Sequence, residues 1–396
     1  MHARRAAVSS VLLLLFALSI LTLVPRAPSP LPRPFLRSHA DGGRCDYSDG
    51  VWVRDAADAP TVYGEDCPFL DPGFQCARNG RTNSSFRHWR WQPRGCNLPR
   101  FNASEMLEWS RNGRIVFAGD SIGRNQWESM VCMLASAVPS GRIYERSGKP
   151  MSRHKGYLSM VFADYNLSVE YYRAPMLVMI DRFPATSSNG AVRGAVRLDL
   201  LPRHADRWAG ADVLVLNTGH WWNEHKTIKA GNYFMVGKRL NVTTDIRQAF
   251  RLSLQTVRRW ELSARLPKSY LFFRSYSPSH YSKGTWDTGG SCAAQQEPRT
   301  ATGGDQLSEE YSWMNAAISS AMRGVSSEGR NARFLNITYM TELRRDGHPS
   351  RHREPGTPPG APEDCSHWCL PGVPDAWNQV LYAHLLSMGY ATRAKH

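Results

Sequence analysis

The chain has 396 residues, room for one large domain or two modest ones, and its 42% hydrophobic, 11% aromatic and 21% charged content is that of a globular protein. A net charge of +15 attracts polyanions. No basic run with interleaved aromatics marks a nucleic-acid module, so the charge reads as a diffusely basic surface, with acidic glycans the remaining polyanion class.

Taken in chain order, residues 1–6 carry Arg4 and Arg5, and residues 7–24 are apolar. At about 1.5 Å per residue this stretch nearly spans a hydrocarbon core of about 30 Å. No Ala-x-Ala-like exit follows it, and the Arg pair favours a cytosolic N-terminus, so we expect a signal-anchor, with a cleaved signal peptide as the competing reading. A Pro-rich stem over 25–43 follows. Residues 44–100 are rich in Cys, Gly, Pro, Asp and Asn and read as a loop-rich, stapled lobe. From 101 to 396 the pattern is that of a single larger domain.

Within that domain Ile115-Val-Phe-Ala118 reads as a buried strand, and Trp127, Met130, Val131 and Leu134 recur at helical spacing after it. Val213–Leu216 and Tyr270–Phe273 read as further strands, and Phe334–Ile337 as a weaker one. Ile246, Phe250, Leu254 and Val257 mark an amphipathic helix, and Trp377, Val380, Leu381 and Leu385 another. Alternation of strands and helices predicts an α/β fold, a mostly parallel sheet flanked by helices. Ligands of such sheets bind beyond the strands' carboxyl ends, where Ser121, Asn217 and Ser275 fall.

Eight cysteines occur: Cys45, Cys67, Cys76, Cys96, Cys132, Cys292, Cys365 and Cys369. In a secreted context an even number implies disulfides, and their spacings fit no standard zinc finger, so no metal site is expected. Five lie in the N-terminal third and three toward the C-terminus, so full pairing requires a bridge between the groups. Glycosylation acceptors of the type Asn-x-Ser/Thr occur at Asn83, Asn102, Asn166, Asn241 and Asn336, in keeping with a lumenal location.

The chemistry is carried by two short segments. Gly119-Asp-Ser121 sits where a strand turns into a helix, which exposes the serine hydroxyl beside N–H groups able to hold an oxyanion. Asp364-Cys-Ser-His367 places a carboxylate and an imidazole three positions apart, within reach of one point. A serine hydroxyl needs a base, so we read Ser121 as nucleophile, His367 as base and Asp364 as the group that holds its tautomer. Asn217 is a second oxyanion donor beside the Ser121 N–H. His220, His225 and His280 are alternative bases. Trp221, Trp222 and Trp377 are candidate sugar-stacking platforms, and Arg173 a candidate polar contact.

Five blocks quoted in order carry a resemblance: Phe117-Ala-Gly-Asp-Ser-Ile-Gly-Arg-Asn-Gln126, Asn217-Thr-Gly-His-Trp-Trp222, Phe273-Arg-Ser-Tyr-Ser-Pro-Ser-His280, Trp286-Asp-Thr-Gly-Gly-Ser-Cys292 and Asp364-Cys-Ser-His-Trp-Cys-Leu-Pro-Gly-Val-Pro-Asp-Ala-Trp-Asn378. From about Cys45 onward the chain resembles the plant trichome birefringence-like proteins. The resemblance implies an SGNH/GDSL-esterase-like fold, and a Golgi type II membrane protein with a lumenal catalytic domain. It implies O-acetylation of xylan, mannan, xyloglucan or pectin through the Ser121–His367–Asp364 triad. No bound cofactor is implied, but an acetyl donor is required, acetyl-CoA or another acetyl carrier. A polysaccharide acetylesterase of the same fold and a non-catalytic wall-polysaccharide binder are the alternatives.

Overall fold

The computed structural model describes residues 45–55, 61–148, 156–182, 192–241, 245–263, 269–299 and 309–392. The expected anchor and stem lie outside the described residues. Among the described residues, no helix is long and apolar enough to cross a membrane.

In chain order the strands are β1 (Gly50–Arg54), β2 (Trp89–Pro93), β3 (Arg114–Gly119), β4 (Ile143–Glu145), β5 (Tyr157–Phe162), β6 (Leu167–Arg173) and β7 (Met179–Arg182). They continue with β8 (Gly194–Arg197), β9 (Val213–Leu216), β10 (Asn232–Val236), β11 (Arg239–Asn241), β12 (Tyr270–Arg274) and β13 (Ala332–Leu335). The helices are α1 (Ala103–Trp109), α2 (Ser121–Ala135), α3 (Ile246–Ser263), α4 (Glu309–Ser326), α5 (Thr338–Glu342) and α6 (Val373–Ser387).

The main sheet has the order β13-β12-β9-β3-β6-β5-β4. Its first five strands run parallel, β5 runs antiparallel to β6, and β4 antiparallel to β5. Both faces are covered. Ile115 and Phe117 of β3 point into a core shared with α1, α2 and α6, while Val116 and Ala118 point into one shared with α3 and α4. β9 divides in the same way, Val213 and Val215 against Leu214 and Leu216. A strand buried on both faces needs a continuous apolar run, which is why these segments are Val/Ile/Leu-rich without alternation. After β3 the chain builds one side of the sheet through β6 and then crosses to the other side at β9. The strand order therefore reverses at the carboxyl end of β3, where such sheets open a crevice.

The N-terminal region carries the antiparallel ribbon β1–β2, and its apolar residues Tyr63, Phe69, Leu70, Phe74 and Trp91 join the core on the α2/α6 side. A separate sheet, β11-β10-β8-β7, flanks the other side. All eight cysteines pair: Cys45–Cys96, Cys67–Cys132, Cys76–Cys369 and Cys292–Cys365. The bridge required between the two groups is Cys76–Cys369.

Candidate active site

β3 delivers the chain to Asp120, which caps α2: its Oδ1 accepts the N–H groups of Ile122 at 3.0 Å and Gly123 at 3.4 Å. Asn217, just past β9, donates its Nδ2 to the same oxygen at 2.6 Å. This junction is tight. A Cβ at Gly119 or Gly123 would lie 2.0 or 1.9 Å from Asn217 Oδ1, which is why small residues flank the serine. Ser121 itself is exposed, at the first position of α2, and its N–H has no hydrogen-bond partner among the described residues.

His367 Nε2 lies 2.8 Å from Ser121 Oγ, and its Nδ1 lies 2.9 Å from Asp364 Oδ2. The Asp364 Oδ1 also accepts the backbone N–H groups of Ser366 and His367. A carboxylate only accepts, so Nδ1 carries the hydrogen and Nε2 is free to take the serine proton. Burial alone would raise the Asp364 carboxyl, but the charge of His367 and its hydrogen bonds outweigh it and hold Asp364 below the ordinary carboxylate range. Burial would lower His367, yet the Asp364 charge and hydrogen bond prevail and raise it above the ordinary imidazole value.

The segment bearing the acid and base is fixed at several points. Trp368 N–H donates to Asn125 Oδ1 at 2.8 Å, and Asn125 Nδ2 returns a bond to Trp368 O at 3.2 Å, so α2 grips the residue after His367. His348 Nδ1 donates to the His367 carbonyl at 2.7 Å. Burial and the neighbouring His280 hold His348 well below its ordinary value and thus neutral, so its Nε2 accepts from His280 Nδ1 at 2.7 Å. Phe74 stacks on the His367 ring at 5.5 Å. The disulfides of Cys365 and Cys369 clamp the segment on either side.

Of the histidines considered, only His367 reaches Ser121. His220 also lines the cleft, but its Nε2 is 2.8 Å from Ser277 O, its ring stacks on Tyr276, and burial lowers its pKa. His280 is buried against His348, and His225 pairs with Asp287 at 3.4 Å.

Asn217 is buried and donates its Nδ2 to Asp120 Oδ1 at 2.6 Å, which positions the nucleophile's turn; the same nitrogen carries a second hydrogen, the one that the expected oxyanion role would use. Two expectations are corrected. Trp377 is fully buried, with its indole N–H on Thr341 Oγ1 at 2.9 Å. Trp222 is likewise buried, with its N–H on Thr218 Oγ1 at 2.9 Å. Both indoles are core, with no face for a sugar. Trp221 does line the cleft, and Arg173 sits over its ring at 5.6 Å. Among the sequon asparagines, Asn102 and Asn166 are exposed, Asn83 and Asn336 are half-buried, and Asn241 ends β11.

The triad opens into a cleft of about 1040 Å³. One wall carries Trp221, His225, Lys226 and Trp286, and the other is the Gly/Pro-rich loop Arg353–Pro362. Lys226 and Trp286 escaped the sequence reading, since only the fold brings them beside Ser121. Chemically, the arrangement activates a serine for attack on an ester or thioester carbonyl and leaves space for a large second substrate.

A family described as GDSL/SGNH-like acyl-esterases found in Pmr5 and Cas1p matches residues 98–384, and the Pmr5 N-terminal domain matches 43–97. Trichome birefringence-like protein 9 of Arabidopsis thaliana is 53% identical over 88% of this chain and 85% of its own length. Trichome birefringence-like protein 1 of the same plant is 39% identical over 86% of this chain, which spans 61% of that relative. Xylan O-acetyltransferase 14 of Oryza sativa subsp. japonica is 34% identical over 92% of this chain and 82% of its own length. The strand–turn–helix serine, the imidazole facing it and these matches together make the chain a member of the trichome birefringence-like family, with a GDSL/SGNH-like acyl-esterase domain.

Proposed function

We propose that the protein is a polysaccharide O-acetyltransferase working through an acetyl-serine. The observation that carries this reading is the 2.8 Å approach of His367 Nε2 to Ser121 Oγ within a cleft large enough for a glycan. The rice relative named a xylan O-acetyltransferase supports the transfer direction. In the first half-reaction His367 takes the Ser121 proton, Oγ attacks the donor's acetyl carbonyl, and the oxyanion is held by the Ser121 N–H and by the Asn217 amide. The leaving group departs with the proton from His367. In the second half a sugar hydroxyl gives its proton to His367 and attacks acetyl-Ser121, after which the proton returns to Oγ. The donor is acetyl-CoA or another acetyl carrier, and the acceptor a cell-wall polysaccharide of the xylan, pectin, xyloglucan or mannan class. Four disulfides favour an oxidising lumen, in keeping with a Golgi location and an anchor over residues 7–24.

The family description also fits hydrolysis, and exposed Ser121 admits water. The test is to incubate the full chain with an acetyl donor and a panel of deacetylated oligosaccharides and to read acetyl gain by mass spectrometry. The expected result is gain on a glycan that disappears in Ser121→Ala. Acetate release without gain would establish the esterase instead, and glycan binding with no turnover the binder.

A further inference from the structure

The cleft wall next to Ser121 carries two indoles, Trp221 and Trp286, with the cation Lys226 against both, and a second cation, Arg173, lies against Trp221 outside the cleft lining. The Arg173 guanidinium lies 5.6 Å from the centre of the Trp221 ring, and Lys226 Nζ lies 5.4 Å from Trp221 and 5.5 Å from Trp286. Arg173 ends β6 in register with Gly119, two residues before the nucleophile. Trp286 is 45% exposed, far more than a packing role needs.

The charges around the cleft are unevenly satisfied. Asp364 is held by His367. Glu363 accepts from Ser291, Ser350 and the N–H groups of Cys292 and Ala293. Asp287 faces His225 and accepts from Thr285, and Glu354 faces Arg353. Among the described residues, Arg173 and Lys226 have no carboxylate partner, and both rest on indole faces instead. The open charge on this wall is thus positive, and it is interleaved with flat apolar surfaces.

We propose that this wall is a subsite for a carboxylate-bearing sugar, in which Lys226 takes a uronate carboxylate, Arg173 adds positive charge beside Trp221, and Trp221 and Trp286 stack on the C–H faces of the rings. Each uronosyl unit offers an anion and an apolar face together, which is the pairing that Lys226 and its two indoles present. A neutral glycan would use the indoles and leave both cations unanswered. The inference rests on the reading of the cleft as a glycan acceptor site, and it makes Lys226 the specificity-determining residue.

The test compares oligogalacturonate with its carboxyl-reduced counterpart, which keeps the chain and loses the charge. Binding is measured on the full chain carrying Ser121→Ala, so that it does not depend on turnover, and transfer is measured on the wild type. We expect the acidic form to bind about tenfold tighter or more, a difference of about 1.4 kcal/mol. We expect Lys226→Gln to bring the ratio close to one, Lys226→Arg to keep it, and added salt to narrow it. Equal binding of the two forms overturns the subsite, as does a Lys226→Gln effect that is the same on both. So does a Lys226→Gln effect confined to acetyl-CoA, which would give the wall to the donor. Preference for the acidic form without acetyl gain on any glycan would leave the subsite standing and sink the transferase. Acetyl gain without that preference would do the reverse.

Discussion

At the scale of single residues, the site is decided by which groups still have a hydrogen-bonding valence to spare. Asp364 spends both oxygens on His367 and its own loop, which leaves His367 Nε2 with one partner, Ser121 Oγ. Because burial is outweighed by the Asp364 charge, His367 binds its proton more tightly than a free imidazole. As imidazolium it cannot accept the serine proton, so activity falls as pH drops through its folded-state pKa. The ascending limb of kcat/KM should therefore be centred above the ordinary imidazole value of about 6.5. Asp364→Asn should move that limb downward and cut kcat on the order of 10³- to 10⁴-fold, since the tautomer is no longer held. A pH–rate profile of both proteins checks this, and an unmoved limb would mean that another group is the base. The same accounting separates the tryptophans. An indole N–H bonded inside the core, as in Trp222 and Trp377, marks a packing residue, whereas Trp221 and Trp286 line the cleft.

At the scale of elements, the acid–base segment is held by pieces distant in sequence, and the Cys76–Cys369 bridge is the longest of these ties, with a separation of 293 residues. Replacing both cysteines by serine should cost about 2–5 kcal/mol by freeing the unfolded chain, and should lower kcat because Phe74 and Leu370 lose their register beside His367. Denaturant midpoints and initial rates would check it, and an unchanged kcat would show that the tie is structural alone. What the sequence reveals follows the same division. Val213–Leu216, Tyr270–Phe273 and the β3 run are legible because strands buried on both faces must be continuously apolar. β6 is not legible in the sequence, because Ser168 and Glu170 interrupt its apolar run. The buried Glu170 takes its counter-charge from Arg114 on the neighbouring strand, a pairing that no local window contains, and the Ser168 and Tyr172 hydroxyls complete its hydrogen bonds. β13 lies over Ala332–Leu335 rather than 334–337, and α4 and the small four-stranded sheet were not anticipated. Ser121, Asp364 and His367 are legible because short spacing sets them. Asn125, Lys226 and Trp286 are not, because their roles exist only once 100 or more residues of chain have folded around them.

At the scale of the whole molecule, the N-terminal lobe and the larger α/β part do not form separate cores. Tyr63, Phe69, Leu70, Phe74 and Trp91 belong to the same hydrophobic cluster as α2 and α6. Polar ties follow the same seam. Asp71 N–H donates to Glu128 Oε2 at 2.7 Å, Arg81 donates to the carbonyls of Asp346 and His348, and Leu370 N–H to that of Phe74. The lobe therefore supplies the ring that stacks on the catalytic imidazole and also part of the floor beneath it. A polypeptide of this size usually unfolds in parts, with a calorimetric enthalpy above the van't Hoff value. Here the shared core predicts the opposite for residues 45–392: one cooperative transition, with a ratio of the two enthalpies of about one. Lobe and active site should also fail together, so that loss of activity tracks loss of near-ultraviolet signal from the buried tryptophans. Scanning calorimetry with the disulfides intact, alongside residual activity, measures both. Two resolved transitions, with activity surviving the first, would mean that the lobe is an independent appendage and that the Phe74–His367 contact has no catalytic weight.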